Sequence, residues 1–467
     1  MELEKIVKKQ QAYFRTGKTL SFSRRKELLL GLKKSILNHE EELYEAFYTD
    51  LGKGKAETYM AEISMILSEI AHVLRHLSKW AAPKRVAGTL GTWPAKSVIY
   101  SEPYGVVLVL APWNYPFLLA LSPVVGAIAA GNCVVLKCSK SSPHCAKVIA
   151  DIMEEAFDEQ EAYCVDANLD YDTVLNQNYQ YIFFTGSPRV GKTIMKRAAE
   201  DLIPVSLELG GKSPCIVTAS ANLRLAAKRI VWGKLLNAGQ TCITVDYILV
   251  DERVKERLLH LILKEIEKRY PDAANNPNYP RIISMHHYER LMKLITNACS
   301  AASSACKAGN LEKQVIGGEG NPTERRIAPA IFTDVQWNDE IMEEEIFGPI
   351  IPIISYRNLE DVVEKINDRP HPLATYIFTE NKELARRLIR RIPFGGGCVN
   401  DTILHISNHH MPFGGVGNSG MGGYHGKHSF DTFSHKKSVV ENTTRLDVPI
   451  RYAPLTDKKW KILRKVL

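Results

Sequence analysis

Residues 104–140, YGVVLVLAPWNYPFLLALSPVVGAIAAGNCVVLKCSK, read as strand, helix, strand. The opening YGVVLVL is a continuous apolar run, the pattern of a strand buried on both faces of a parallel sheet. It ends at Pro112, Trp113, Asn114, Tyr115 and Pro116. A helix of small and apolar residues follows, and CVVLK, residues 133–137, makes a second buried strand. The alternation continues with a helix around residues 144–157, a stretch to Asn178 without a clear pattern, and then YIFFTGSPRVGKTIMKRAA, which reads as strand, glycine turn and helix. Such alternation predicts a doubly wound α/β sheet, whose ligands sit beyond the carboxyl ends of its strands. Asn114, Lys137 and Gly186 fall at such ends. Gly186 and Gly191 bracket a turn whose helix would offer its N-terminal amides to a diphosphate. The spacing is not GxGxxG, and a plain glycine turn reads equally well.

Two further stretches carry reactive groups. In VSLELGGKSPCIV, residues 205–217, Glu208 lies between Leu207 and Leu209 just before Gly210 and Gly211. A carboxylate there costs free energy unless it has a partner or a task. In NAGQTCITV, residues 237–245, Cys242 follows small and polar residues that let backbone approach a ligand. Packing alone is the plainer reading of one cysteine; its pairing with Glu208 is what points to chemistry.

At 467 residues the chain exceeds one hydrophobic core, so two or three domains are expected. Its 45% hydrophobic and 24% charged content is that of an ordinary soluble globular protein. No apolar run reaches the roughly 18 residues of a membrane helix. MELEKIVKKQ lacks the apolar core and cleavage site of a secretory signal, so a cytoplasmic protein is expected. The nine cysteines form no Cys-x-x-Cys pair, which points to free thiols and to no metal site. Adjacent His409 and His410 would point apart on a strand, which also argues against a metal there. The net charge of +8 gathers partly at the C-terminus, in Arg451, Lys458, Lys459, Lys461, Arg464 and Lys465. That basic tail suits either an anionic membrane surface or a solvated helix packed on its own protein, and the latter is favoured. No nucleic-acid motif is present.

Around these units, Ile63, Ile66, Leu67, Ile70, Val73, Leu74 and Leu77 mark one face of a long helix. Leu28, Leu29, Leu32 and Ile36 mark another, with Ser23 as its N-cap. These helices are scaffold. Residues 83–103, broken by Pro83, Gly88, Gly91, Pro94 and Pro103, predict a loop and an exposed strand that leaves the body. EEEIFGP, FGGGCVN and PFGGVGNSGMGGYHGK are loops whose glycines suggest backbone running close to a ligand or another chain, with surface loops as the plain alternative.

In order along the chain, PWNYP, FTGSPRVGK, LELGGKSP, GQTC, EEIFGP and PFGGVGNSGMG resemble the aldehyde dehydrogenase superfamily over nearly the whole length. The last motif, followed by YHGKHSFDTFSHKK, resembles its class 3 branch. The resemblance implies two doubly wound α/β domains plus a small β oligomerisation arm. A cofactor domain would span 1–80 and 104–207, a catalytic domain 208–397, the arm 81–103 and 424–445, and a basic tail 446–467. It implies a homodimer, and the strand at 97–103 reads as an edge seeking a partner. The implied reaction is oxidation of an aldehyde to the carboxylic acid with NAD or NADP. Cys242 would be the nucleophile, Asn114 with the Cys242 backbone N–H the oxyanion donors, and Glu208 the base that hydrolyses the thioester. Lys137 would hold the adenosine ribose, Gly186 and Ser187 the diphosphate, and Glu345 and Phe347 the nicotinamide ribose and ring. Trp113, Lys140 and Gly191 complete the expected cofactor site.

Three departures from the family pattern stand out. Lys137, Cys138, Ser139 and Lys140 replace Lys-Pro-Ser-Glu, exchanging an acceptor for ribose hydroxyls for a cation, so NADP is expected to serve at least as well as NAD. Residues 160–178 lack the usual glycines. GQTCITVD differs after the cysteine but leaves the nucleophile intact. A CoA-acylating enzyme and a catalytically silent cofactor-binding protein are the rival readings; Glu208 argues against the first, and the intact Asn114, Glu208 and Cys242 set against the second. Tyr115 and the loop from His405 to His409 are candidates for the aldehyde channel, and the sequence does not define the aldehyde.

Overall fold

The computed structural model describes residues 2–307 and 315–466, and three main sheets organise them. The first has the order Gly420–Met421, Val205–Leu209, Tyr181–Gly186, Val106–Leu110, Cys133–Lys137, Ala162–Val165. Its neighbours are parallel except Gly420–Met421, which runs antiparallel to Val205–Leu209. The chain starts at Val106–Leu110, builds outward to Ala162–Val165, then returns to the other side at Tyr181–Gly186. That reversal makes a switch point between Val106–Leu110 and Tyr181–Gly186, and in sheets of this kind ligands bind beyond the carboxyl ends of such strands.

The apolar run at 106–110 is buried at every position, and so is the helix Leu118–Ala130 that follows it. Gly126 in that helix lets the chain return close by: a Cβ there would lie 2.5 Å from the Ser429 Cβ. Asn132 ties the same corner, accepting from the Gly105 N–H and donating to the carbonyls of Ala127 and Phe433.

The second sheet has seven strands in the order Val315–Gly317, Ala330–Phe332, Ile350–Tyr356, Tyr247–Asp251, Pro214–Val217, Ala374–Phe378, Gly396–Val399. All its pairings are parallel except that of Val315–Gly317. In the third sheet, Lys96–Pro103 is flanked antiparallel by Lys84–Val86 and by Ser434–Glu441 along its whole length. The segment just before the last strand belongs to the body, where Tyr424, Phe430 and Phe433 are buried.

Several local readings change. The helix Phe22–Asn38 is capped by Ser21, whose hydroxyl accepts from the Arg24 N–H, rather than by Ser23. Ser21 has the extended backbone a cap requires, while Ser23 is already helical. The patternless stretch before Asn178 contains the edge strand Ala162–Val165 and the short helix Tyr171–Leu175, capped by Asp170. Four residues at a half-exposed edge leave no periodicity to read. His409 and His410 lie in a turn, not a strand, and both rings pack against His72, at 5.3 and 4.9 Å. Among the described residues no group of His, Cys, Asp or Glu is placed to hold a metal ion.

The tail helix Asp457–Val466 carries five cations in ten residues, and its Trp460 and Ile462 are exposed. Among the described residues no helix is long and apolar enough to cross a membrane. The eight cysteines with described side chains are free thiols; that of Cys306 lies outside the described residues.

Candidate active site

Cys242 sits beyond the helix Leu223–Leu235 on a turn with unusual backbone. Asn237 (φ 52°), Ala238 (φ 51°) and Gly239 (φ 77°) are all left-handed. For residues other than glycine this conformation costs about 1–3 kcal/mol each and persists only where the surroundings over-determine it. Here they do. The Asn237 N–H donates to Glu57 Oε1 at 2.8 Å, and its side-chain amide donates to the carbonyls of Asn114 (2.8 Å) and Gln240 (3.2 Å). The buried Gln240 amide donates to the Asn237 and Arg281 carbonyls and accepts from the Ile283 N–H. Gly239 is required by space as well: a Cβ there would lie 2.3 Å from the Gly348 carbonyl oxygen.

The PWNYP loop docks on this turn. Asn114 Nδ2 donates to the Gln240 carbonyl at 3.1 Å, and the Tyr115 hydroxyl meets Thr241 Oγ1 at 2.8 Å. An amide carries two N–H donors, and one of Asn114's is engaged here. Behind Tyr115, a fully buried Lys53–Glu62 pair (2.8 Å) presents its ammonium 4.4 Å from the ring centre, and Glu62 also accepts from the Leu118 N–H. The pair fixes Tyr115 and the start of the following helix together.

Glu208 is the penultimate residue of the strand Val205–Leu209, opposite Thr185 on one side and Gly420 on the other. It is buried, and among the described residues neither carboxylate oxygen has a hydrogen-bond partner. Burial pushes its carboxyl well above the usual carboxylate range. Cys242 is half-buried; burial first, then the neighbouring Glu345 and Glu208, push its thiol up. The structure therefore brings Asn114, Glu208 and Cys242 near one another. Tyr424, which the sequence reading missed, joins them with a buried hydroxyl that has no partner among the described residues. Burial and the charges of Glu208 and Cys242 hold that hydroxyl protonated. The His405 ring lies over Phe413 at 6.1 Å, and the next residue after Phe413, Gly414, stands beside Glu208.

The residues expected at a cofactor site lie on the loops after the strands of the first sheet and on the EEIFGP loop. The Lys137 ammonium donates to the Ala167 carbonyl at 2.8 Å, and exposed Lys140 follows it in the same loop. Ser187 caps the helix Pro188–Glu200, whose first turn faces outward beyond Gly186. Gly186 and Gly191 serve packing directly: a Cβ on either would collide with Phe184 or Leu209. Glu345 is held against Gly210, and its Oε1 is buried without a partner among the described residues. Phe347 (φ 52°) sets its ring edge-on to Trp113 at 5.4 Å. The Glu345 loop is pinned by Lys212, which pairs with Asp246 (2.6 Å) and donates to the carbonyls of Ile341 and Glu344, while Asp246 accepts from the Ile346 N–H. An open helix N-terminus, two lysines and an orphaned buried acceptor fit a dinucleotide.

The chain matches the model of the aldehyde dehydrogenase family over residues 1–439. It is 43% identical over 450 residues to the 4,4'-diaponeurosporen-aldehyde dehydrogenase of Staphylococcus aureus, covering 96% of this chain and 95% of that one. It is 39% identical to a dimeric, NADP-preferring aldehyde dehydrogenase of Canis lupus familiaris, covering 97% and 98%. Several further relatives are named as members of aldehyde dehydrogenase family 3. Among solved structures, a substrate-bound Staphylococcus aureus AldH superposes with a TM-score of 0.93 at 41% identity, covering 99% of each chain.

Replacing Gly239 with alanine adds a clash to a left-handed position, and displacement of the Cys242 turn is the expected result. The Gly239→Ala variant should lose at least about tenfold in kcat/KM while its far-UV circular dichroism stays unchanged. Activity within twofold of wild type would show that the turn does not govern the nucleophile.

Proposed function

We propose, for a chain that belongs to the aldehyde dehydrogenase family, that Cys242 is the nucleophile, Asn114 the oxyanion donor and Glu208 the general base. The enzyme oxidises an aldehyde to its carboxylic acid with NAD or NADP, which when bound accepts the hydride leaving the aldehyde carbon. The remaining work falls to the chain. Cys242 Sγ, its thiol proton passed to solvent water, bonds to the carbonyl carbon, and the carbonyl oxygen gains negative charge. The free N–H of Asn114 and the Cys242 backbone N–H stabilise that charge where it develops. Once the carbon is oxidised, the acyl group is a thioester on Cys242. Glu208 takes a proton from water, the water oxygen attacks the acyl carbon, and the C–S bond breaks to return the thiolate. A carboxyl raised by burial toward the working pH is the right base for this step.

One observation carries the reading: a buried carboxylate whose two oxygens have no partner among the described residues faces a cysteine whose turn is bonded to Asn114. It also favours water over a thiol such as CoA as the group that resolves the thioester, since only water needs a base of this kind. Lys137 would hold the adenosine ribose and Ser187, Gly186 and Gly191 the diphosphate, with Glu345, Phe347 and Trp113 at the nicotinamide end. Lys140 would meet a 2′-phosphate, and the NADP preference named for the canine relative supports this.

The protein is read as a cytoplasmic homodimer. The projecting sheet built on Lys96–Pro103, with exposed Leu90 and Trp93 beside it, supports an arm reaching a second copy, as does the dimeric relative.

In stopped-flow at 340 nm, Cys242→Ala should form no reduced cofactor, and Glu208→Gln should give a burst that stalls at the acyl-enzyme. Steady turnover by either variant at the wild-type rate refutes the assignment. Lys140→Glu should lower kcat/KM with NADP about tenfold relative to NAD, from loss of one charged contact and gain of a repulsive one; an unchanged ratio removes Lys140 from the cofactor site. In cell extracts the protein should remain in the soluble fraction and scatter light as a dimer. A monomer mass, or recovery with the membrane pellet through the exposed basic tail, contradicts the cytoplasmic dimer.

A further inference from the structure

No step of the proposed reaction uses residues 51–62, LGKGKAETYMAE, which lead into the long helix ending at Ala81. That helix does not begin regularly. Lys55–Thr58 is one α-turn, Tyr59–Ile63 is a π-turn closed by the Ser64 N–H on the Tyr59 carbonyl, and the α-helix resumes at Ser64. Single π-turns inside α-helices are rare and recur at functional sites. Glu57 precedes this one and Glu62 lies within it. In an α-helix, residues five apart point about 140° away from one another; a π-turn between them narrows that angle. The contacts of the stretch converge on the active site. Glu57 Oε1 accepts the N–H of Asn237, the first residue of the left-handed turn, at 2.8 Å. Glu62 Oε2 accepts the Leu118 N–H at 3.0 Å, where the helix after the PWNYP loop begins, while its Oε1 holds Lys53. The Leu51 carbonyl accepts the Arg281 N–H at 2.6 Å, and the Arg281 carbonyl accepts from the Gln240 amide at 2.9 Å. A segment serving packing alone would bury apolar side chains here. This one buries Lys53 and Glu62 and spends Glu57 on a backbone N–H.

We propose that residues 51–62 are a bracket that sets Cys242 against Asn114, and that Glu57 is the positioning residue on its nucleophile side. The inference rests on the reading of Cys242 and Asn114 given above. Direct bonds among Asn114, Asn237 and Gln240 hold the PWNYP loop to the turn. The bracket fastens both to one rigid segment, Glu57 on the turn and Glu62 on the helix after the loop. Without the Glu57 acceptor the Asn237 N–H loses its partner, and the left-handed turn loses one of the bonds that over-determine it. The thiol then shifts relative to the oxyanion donor. Such a shift slows bond formation at the carbonyl carbon more than it weakens binding of either substrate, because the donors act where charge develops.

The test compares Glu57→Leu, Glu57→Asp and Glu57→Gln in the full-length enzyme. Thermal melting checks that each is folded, and KM for aldehyde and NADP is measured beside single-turnover NADPH formation at saturating substrate. Leucine fills the space without an acceptor, aspartate keeps the charge but falls one methylene short, and glutamine keeps an acceptor oxygen in place. The single-turnover rate should fall about tenfold in Glu57→Leu and about fivefold in Glu57→Asp, and stay within about twofold of wild type in Glu57→Gln, with both KM values little changed. A wild-type rate in folded Glu57→Leu or Glu57→Asp overturns the proposal. So does a Glu57→Gln variant as slow as Glu57→Leu, since the lost acceptor is then not the cause. KM values that rise in step with the loss of rate also overturn it, because they mark general disorder of the site. Should Glu57→Leu not fold, the aspartate and glutamine variants still decide. Cys242→Ala, run alongside, separates the two readings. NADPH formed by that variant at the wild-type rate refutes the nucleophile itself, whereas an inactive Cys242→Ala beside a normal Glu57→Leu refutes only the bracket.

Discussion

The three left-handed residues Asn237, Ala238 and Gly239 are the constraint on which the site depends. A cysteine at the end of a regular helix points wherever the helix points. One that follows this turn is aimed by hydrogen bonds from other parts of the chain. Glu57, Asn114, Arg281 and Ile283 all bond to the turn or to Gln240, so the nucleophile is referenced to both halves of the molecule. The strain is local, while the bonds that hold it come from segments up to 180 residues away. The buried Lys53–Glu62 pair behind Tyr115 belongs to the same support.

Burial does two jobs at once around Cys242. It raises Glu208 toward the neutral form, which prepares a base, and it raises the thiol, which opposes a nucleophile. The two effects are reconciled if the thiol loses its proton only when an acceptor and an electrophile are both present. A resting thiol of this kind is also shielded from oxidation, because the thiolate is the reactive form.

Much of this was legible in the sequence. The apolar runs at 106–110 and 133–137 and the glycine turn at 186–191 gave the doubly wound sheet, and strand ends pointed to Asn114, Lys137 and Gly186. Glu208 stood out as a charge inside an apolar strand. The turn at 237–239 was not legible: Asn and Gly tolerate left-handed backbone, but Ala238 hides it, and only the converging hydrogen bonds enforce it. Tyr424 reaches the pocket through the pairing of Gly420–Met421 with Val205–Leu209, a contact between segments some two hundred residues apart that no local pattern records. The edge strand Ala162–Val165 was too short and too exposed to show a period.

That late pairing has a consequence for how the molecule is made. The Gly426 N–H bonds to Glu69, Ser68 to His409, and Asn132 to the Phe433 carbonyl, across separations of 357, 341 and 301 residues. Closing so long a loop adds little to its entropic cost, which grows only with the logarithm of length, but contacts this distant form slowly. During synthesis the first sheet emerges with its Glu208 edge bare. The wall over the base is laid down only once Gly420–Met421 has been made, about two hundred residues after Glu208, so the nascent enzyme is a folded scaffold before it is a catalyst.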